Sequence, residues 1–331
     1  MNGIYKKQQC FFYHQKTAVA DDLVQALNLQ GIRITPYFLS LKCTELNNAL
    51  IVYKTSSLLI IYNFIYFKPM QLNINKKTTL LLAAIIIFLA SCKKDKQESE
   101  VFEGTKISMG NGKAWSWIQM KPYSQQPEII GISFTQDAFV NLSAGSMTEH
   151  DIPFELDMPF QKEYSPFNHI VVDWNPHGHT PVGIYDKPHF DFHFYMITEA
   201  ERKQIPDYNA DSTKYQLFPL PDYFPTNYFP IPEGEKMMGK HWVDVTSPEL
   251  NPTNLQPFTQ TFIYGSYNGK VTFYEPMATL SFMTTTNSFT RDIPQPLKYA
   301  KPGYYPTQLS ITKSGNTTEL KLTDFVYHPQ S

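Results

Sequence analysis

The sequence predicts an all-β domain, a β-sandwich or barrel with one short connector helix, and three observations carry that expectation. Strand-length apolar runs recur along the chain beyond residue 110, with turn residues between them. The pair Asn268-Gly269 separates two such runs, which is the strongest short-range hairpin signal. Helical periodicity is scarce, and the roughly 240 residues from Cys92 onward suffice for a single good-sized core.

The strand-like runs, in order, are Ala114–Met120, Glu128–Phe134, Asn168–Trp174, His189–Ile197, Phe258–Gly265, Lys270–Glu275, Ala278–Met283, Gln308–Thr312 and Glu319–Tyr327. Asn268-Gly269 pairs Phe258–Gly265 antiparallel with Lys270–Glu275 and delivers Glu275 to a strand end. The helix is expected after Thr198, whose hydroxyl and Glu201 three residues later form a capping box, with Pro206 as the stop. Leu217–Pro232 holds five prolines and five aromatic residues, so it reads as an ordered loop outside the ladders, packed by its rings at one end of the fold.

Upstream lies a secretory layout. Residues 76–92 have a basic start, a short apolar run and a small-residue ending. Leu89-Ala-Ser-Cys92 matches the lipobox of bacterial lipoproteins, in which the cysteine is diacylated and becomes the new N-terminus. The apolar run from Leu80 to Ala90 falls short of the roughly 20 residues that span a bilayer. Met70 is then the start of a signal peptide over 70–91, and residues 1–69 read as translated upstream DNA or a disordered extension. A charged, core-free run follows Cys92, giving a lipidated tether over 92–109 ahead of a single β-rich domain at 110–331. Its Lys94-Asp95 start is similar to the acidic sorting signals of surface-exposed lipoproteins. The expected localisation is the cell envelope, lipid-anchored to the outer membrane and either periplasmic or surface-exposed.

Composition narrows the chemistry. Of the cysteines, Cys10 and Cys43 precede the cleavage point and Cys92 carries the lipid, which excludes a disulfide framework and thiolate chemistry in the mature part. Nine of the 28 basic and three of the 30 acidic residues precede Lys93, leaving a formal charge of −8 downstream. Nucleic acid is therefore not an expected partner.

Four of the nine histidines fall between His177 and His193. From Pro188 the residues alternate, so His189, Asp191, His193 and Tyr195 share one strand face and Phe190, Phe192, Phe194 and Met196 the other. Histidines two or four apart on a strand project the same way at distances one ion can bridge, which singles out His179, His189 and His193. His241 precedes a strand-like run. Glu275 shares a face with Val271 and Phe273, and a buried carboxylate needs a partner. These five residues are the expected ligands of a single divalent transition metal, one of Zn, Mn, Fe, Cu or Ni, in a nitrogen and oxygen site. Asp191 fits an acceptor that orients an imidazole, with His177 and Tyr195 beside it. There is no G-x-S-x-G elbow, phosphate-binding glycine loop or H-E-x-x-H helix.

The segments Trp174–Tyr195, Met238-Gly-Lys-His-Trp242 and Tyr264–Met277 together resemble an exported bacterial family carrying a domain of unknown function, the TTHB-type domain. The likeness covers Gly110 to Met283 and implies a β-rich fold with a polar site built on the same five residues. The site chemistry is also similar to that of cupins, although Thr180-Pro-Val-Gly-Ile184 lacks the glutamate that follows their H-x-H.

Three functions follow. The first is a membrane-anchored lipoprotein with a His/Glu metal site and no catalytic role. The second is a metal-dependent hydrolase or oxygenase, with Asp173, Asp191 and Tyr195 available for proton transfer. The third is a surface module binding a small molecule, glycan or peptide through Tyr223, Phe224, Tyr228 and Phe229.

Overall fold

The structure is a computed structural model and describes residues 99–145, 151–159 and 165–331. The expectations for residues 1–69, the signal peptide at 70–91 and Cys92 lie outside the described residues. Strands β1 to β7 are Glu100–Glu103, Ile107–Met109, Gly112–Met120, Pro127–Thr135, Ile152–Leu156, His169–Asn175 and His189–Tyr195. Strands β8 to β14 are Tyr228–Pro230, Lys240–Asp244, Gln260–Tyr267, Lys270–Thr279, Ser288–Asp292, Gly303–Ser314 and Thr317–His328. They form two seven-stranded sheets, the first in the order β1-β3-β4-β14-β13-β12 with β2 also on β3, the second in the order β5-β6-β7-β11-β10-β9-β8. All described strand pairings are antiparallel.

The sheets pack as a sandwich because each turns an apolar face inward. Ile118, Ile130, Ile132, Leu320 and Leu322 of the first sheet are buried in one cluster with Phe190, Phe192, Phe194, Phe262 and Tyr274 of the second. Phe134 meets Phe192 edge-on across the layer at 6.0 Å. Alternation on β7 runs as the sequence predicts, so its second set of side chains must face away from this core. Those side chains are buried as well, leaving no exposed residue in the strand.

The outer face of the second sheet has a cover of its own. Tyr185 and Phe258 pack on Ile263 and Met277 at one end, and Val171, Tyr195 and Phe273 cluster with Met238 at the other. Helix α1, Glu199–Lys203, carries the expected capping box and lays the Arg202 guanidinium over the Tyr195 ring. Lys240 is buried, and its ammonium donates to the carbonyls of Ile231, Pro232 and Glu233 at 2.8, 2.6 and 3.0 Å. It thereby pins residues 231–233 against the strand that carries His241.

Several sequence expectations change. The Asn268-Gly269 turn has positive φ at both residues, as a tight hairpin requires, but its second strand continues past Glu275 to Thr279. Pro276 has no N–H to donate, and recorded pairing with β7 steps from Tyr274 to Met277 around it. Ala278–Met283 is therefore not a separate strand: Ala278 and Thr279 end β11, and Thr279 caps helix α3, Leu280–Thr285. With α2, Ser212–Gln216, the described residues hold three short helices where one connector was expected. A register shift pairs Ser266 with Val271 and Gly265 with Phe273, leaving Thr272 as an extra residue. Val271 consequently packs on the sandwich core, while Phe273 joins the outer-face cluster, so the face expected for all of Val271, Phe273 and Glu275 is split. The span read as a tether contains β1 and β2. In the aromatic loop Phe224 and Tyr228 enter the core, whereas Phe229 is 54% exposed.

Gly265 lies directly beneath the Phe273 ring, and a Cβ there would collide with it. Gly265→Ala is expected to cost about 1–3 kcal/mol through overpacking, read as a lower melting temperature.

Candidate metal centre

The outer face of the second sheet concentrates ionisable side chains because three neighbouring strands contribute polar residues at period two. On β6 these are Asp173 and Asn175, on β7 His189, Asp191 and His193, and on β11 Glu275. Register sets Asp173 opposite Asp191 and Asn175 opposite His189, and Glu275 opposite Ile263 of β10. His241 of β9 pairs with Gly265, whose missing side chain leaves room for Phe273 to wall the site. Phe273 contacts the rings of both His193, at 4.8 Å, and His241, at 5.3 Å.

Two groups emerge, each with ligand atoms within 4.8 Å of one another: His179 with His189 and Asp191, and His193 with His241 and Glu275. The structure thus distributes the five expected ligands over two sets and places Asp191 inside one of them. In the first set His179 Nε2 lies 3.3 Å from Asp191 Oδ2 and His189 Nε2 3.2 Å from Asp191 Oδ1. In the second, His193 Nε2 and His241 Nε2 lie 3.6 and 3.5 Å from Glu275 Oε2. Tyr195 stacks parallel on His193 at 5.4 Å. His177 is exposed on the loop and stays outside both sets.

His179 comes from a loop and reaches the group through Gly178. That glycine has φ +70°, and a Cβ on it would collide with the Tyr185 carbonyl and Lys187 nitrogen. The close approach lets the His179 N–H donate to the Tyr185 carbonyl at 3.1 Å.

Orientation of the rings decides what they offer. Nδ1 of His179 sits 2.8 Å from the Thr180 carbonyl, and Nδ1 of His189 2.6 Å from that of Lys187. A carbonyl only accepts, so both Nδ1 atoms carry a proton, and each Nε2 is the atom that can turn a lone pair toward the group once it is deprotonated. His193 repeats the pattern with a carboxylate, its Nδ1 lying 2.8 Å from Asp173 Oδ2. Such outer contacts fix the tautomer of metal-ligating histidines. Asn175 Nδ2 donates to Asp191 Oδ2 at 2.8 Å, turning that carboxylate toward the rings.

The electrostatics are those of a crowded buried layer. Burial alone would strip the charge from His179 and His193, but the Asp191 carboxylate raises the first and the Glu275 and Asp173 carboxylates the second, both to about 9. His241 falls to about 3 through burial and the neighbouring His193 and His179, so it is neutral. Burial raises Glu275 to about 8. Asp191 is held well below the usual carboxylate range, since His189 and His179 outweigh its burial. Asp151, which sequence reading did not single out, is raised to about 6 by burial and by Asp173.

Both groups border one cavity of about 130 Å³, whose walls include Asp151, Tyr185, Met238, Val243 and Ile263. Each group is therefore a potential metal site of two imidazoles and one carboxylate, a donor set suited to Zn, Fe or Mn. No family model matches this chain, and no curated protein or solved structure matches it.

An incoming cation must displace protons held by His179, His193 and Glu275. Because their values are raised to about 9, 9 and 8, metal affinity is expected to strengthen as pH rises from 6 toward 9 and then to level off. Calorimetric titration in two buffers of different ionisation heat would show the accompanying proton release. Asp173→Asn is expected to weaken binding about 10–100-fold by loosening His193.

Proposed function

We propose that this chain is a metal-binding protein of the cell envelope, anchored to the membrane through Cys92, with divalent transition metal held on the outer face of the second sheet. The observation that carries the metal reading is a convergence of buried atoms lacking a hydrogen-bond partner among the described residues. They are His189 Nε2 and Asp191 Oδ1, which face each other at 3.2 Å, and His193 Nε2 and Glu275 Oε2, which face each other at 3.6 Å. Such groups cost free energy unless something satisfies them. Imidazole and carboxylate donors gathered in each of the two groups suit a cation once the imidazoles are deprotonated. The leader and lipobox support the envelope location.

A metal-dependent hydrolase is the second reading, and the donor count favours it. Structural zinc sites use four protein ligands, whereas catalytic sites use three and keep a position open. Each group supplies three, and both border the cavity. The glycan-binding reading has less support, because Phe224 and Tyr228 are committed to the core.

Elemental analysis of the protein isolated from its membranes is expected to find bound transition metal. His193→Ala is expected to lower metal content and melting temperature together, while the exposed ring in Phe229→Ala leaves both unchanged. A wild-type protein that takes up none of Zn, Mn, Fe, Cu or Ni and melts identically with chelator would sink the metal reading. Cys92→Ser is expected to abolish lipid labelling and membrane retention. Recovery of an unlipidated chain retaining residues 1–69 from cells would overturn the anchor.

A further inference from the structure

The two groups share no ligand, yet they are physically continuous. Asp191 and His193 are two residues apart on one face of β7, a spacing of roughly 7 Å along a strand. Asp173 connects them: it lies opposite Asp191 in the register and contacts His193 Nδ1 at 2.8 Å. Buried atoms that make no hydrogen bond occur in both groups, Asp191 Oδ1 and His189 Nε2 facing each other at 3.2 Å in one and Glu275 Oε2 and His193 Nε2 at 3.6 Å in the other. One ion would satisfy one set and leave the carboxylate of the other set facing imidazoles alone. Two divalent ions bring four positive charges to Asp173, Asp191 and Glu275, enough to compensate all three.

The lining of the cavity adds a chemical selection. Asp151 and Glu235 join Asp191 and Glu275 there, apolar walls come from Ile231, Met238, Val243, Leu250 and Ile263, and the described lining includes no lysine or arginine. Lys240 is nearby in sequence, but its ammonium is spent on the three loop carbonyls. With Asp191 and Glu275 engaged by the ions, Asp151 and Glu235 are the acidic residues left in the lining, and a ligand that pairs an apolar group with an ammonium matches them and the apolar walls.

Resting on the metal reading above, we infer that the chain holds two divalent ions side by side, one per group, and that together they serve a small ammonium-bearing, partly apolar molecule lying in the shared cavity. The centre is thus a two-ion site in which recognition comes from the walls and the ions supply the polarising charge.

The test uses the full chain, stripped with chelator and dialysed against Zn²⁺ or Co²⁺, with bound metal counted per chain. Two ions are expected in the wild type, and one in each of His179→Gln and His241→Gln. His179→Gln acts at a partly exposed loop residue, so it reports on the first site even if a strand variant fails to fold. A wild type saturating at one ion, with either variant falling to none, would overturn the two-ion centre and leave the metal reading standing. A wild type that binds none removes both. For the ligand class, the visible spectrum of the Co²⁺ form is followed with leucinamide and with inorganic phosphate as probes. Leucinamide is expected to perturb the spectrum at concentrations at least 10-fold below those at which phosphate does. An equal or reversed order would overturn the assigned ligand class.

Discussion

A sheet buried on both faces, apolar on one and ionisable on the other, is the constraint from which the rest of this structure follows. The inner face is an ordinary sandwich core of phenylalanine and branched aliphatics. The outer face places Asp173, Asp191 and Glu275 out of water beside four imidazoles, three of them buried. Isolated buried carboxylates are strongly disfavoured, so each is found against a histidine, and several donor atoms are still left over. The same face has to be roofed. Helix α1, the Tyr185–Phe258 cluster and the segment held by Lys240 exclude solvent while leaving one cavity above the donors.

This arrangement explains why neighbouring histidines acquire opposite properties. His193 and His241 lie on the same carboxylate, but His193 has a second carboxylate at its far nitrogen and His241 does not. One gains a proton readily and the other refuses it. The Glu275 carboxyl, between them, is itself pushed toward protonation by burial. A cation entering this layer would have to expel the protons that these groups hold.

Period-two alternation made the centre of the site legible in the sequence. On β7 every second residue is polar and the rest are aromatic, so both faces could be assigned without knowing the neighbours. The partners on β6 carry a weaker form of the same signal, since Val171, Asp173 and Asn175 also alternate with core residues. Glu275 faces the site, but the reasoning from Val271 does not survive the extra residue at Thr272, because a bulge depends on pairing and has no reliable mark in one strand's sequence. The division into two groups was not legible, since it depends on which strand lies beside β11 and on the turn at Gly178 that brings His179 over Asp191. Asp151 gave no signal either, because it precedes a short edge strand and meets Asp173 only through the β5–β6 pairing. Helix α3 was missed because Thr279 is equally suited to a strand and to a cap, and its local context decided for the cap.

The division of labour between ladder and loop has an evolutionary reading. All the donors except His179 sit on strands, where hydrogen-bonded neighbours hold them in register. Most of the cavity wall, including Thr180, Pro181, Tyr185, Ile231, Glu235, Met238 and Leu250, lies on connecting segments. Connections tolerate insertion and replacement far better than ladders do. Related chains could therefore exchange walls, and with them the molecules they admit, while the inorganic chemistry underneath stays fixed. His179 is the exception, a donor carried on the variable layer, and remodelling of its loop would alter one of the two groups while sparing the other.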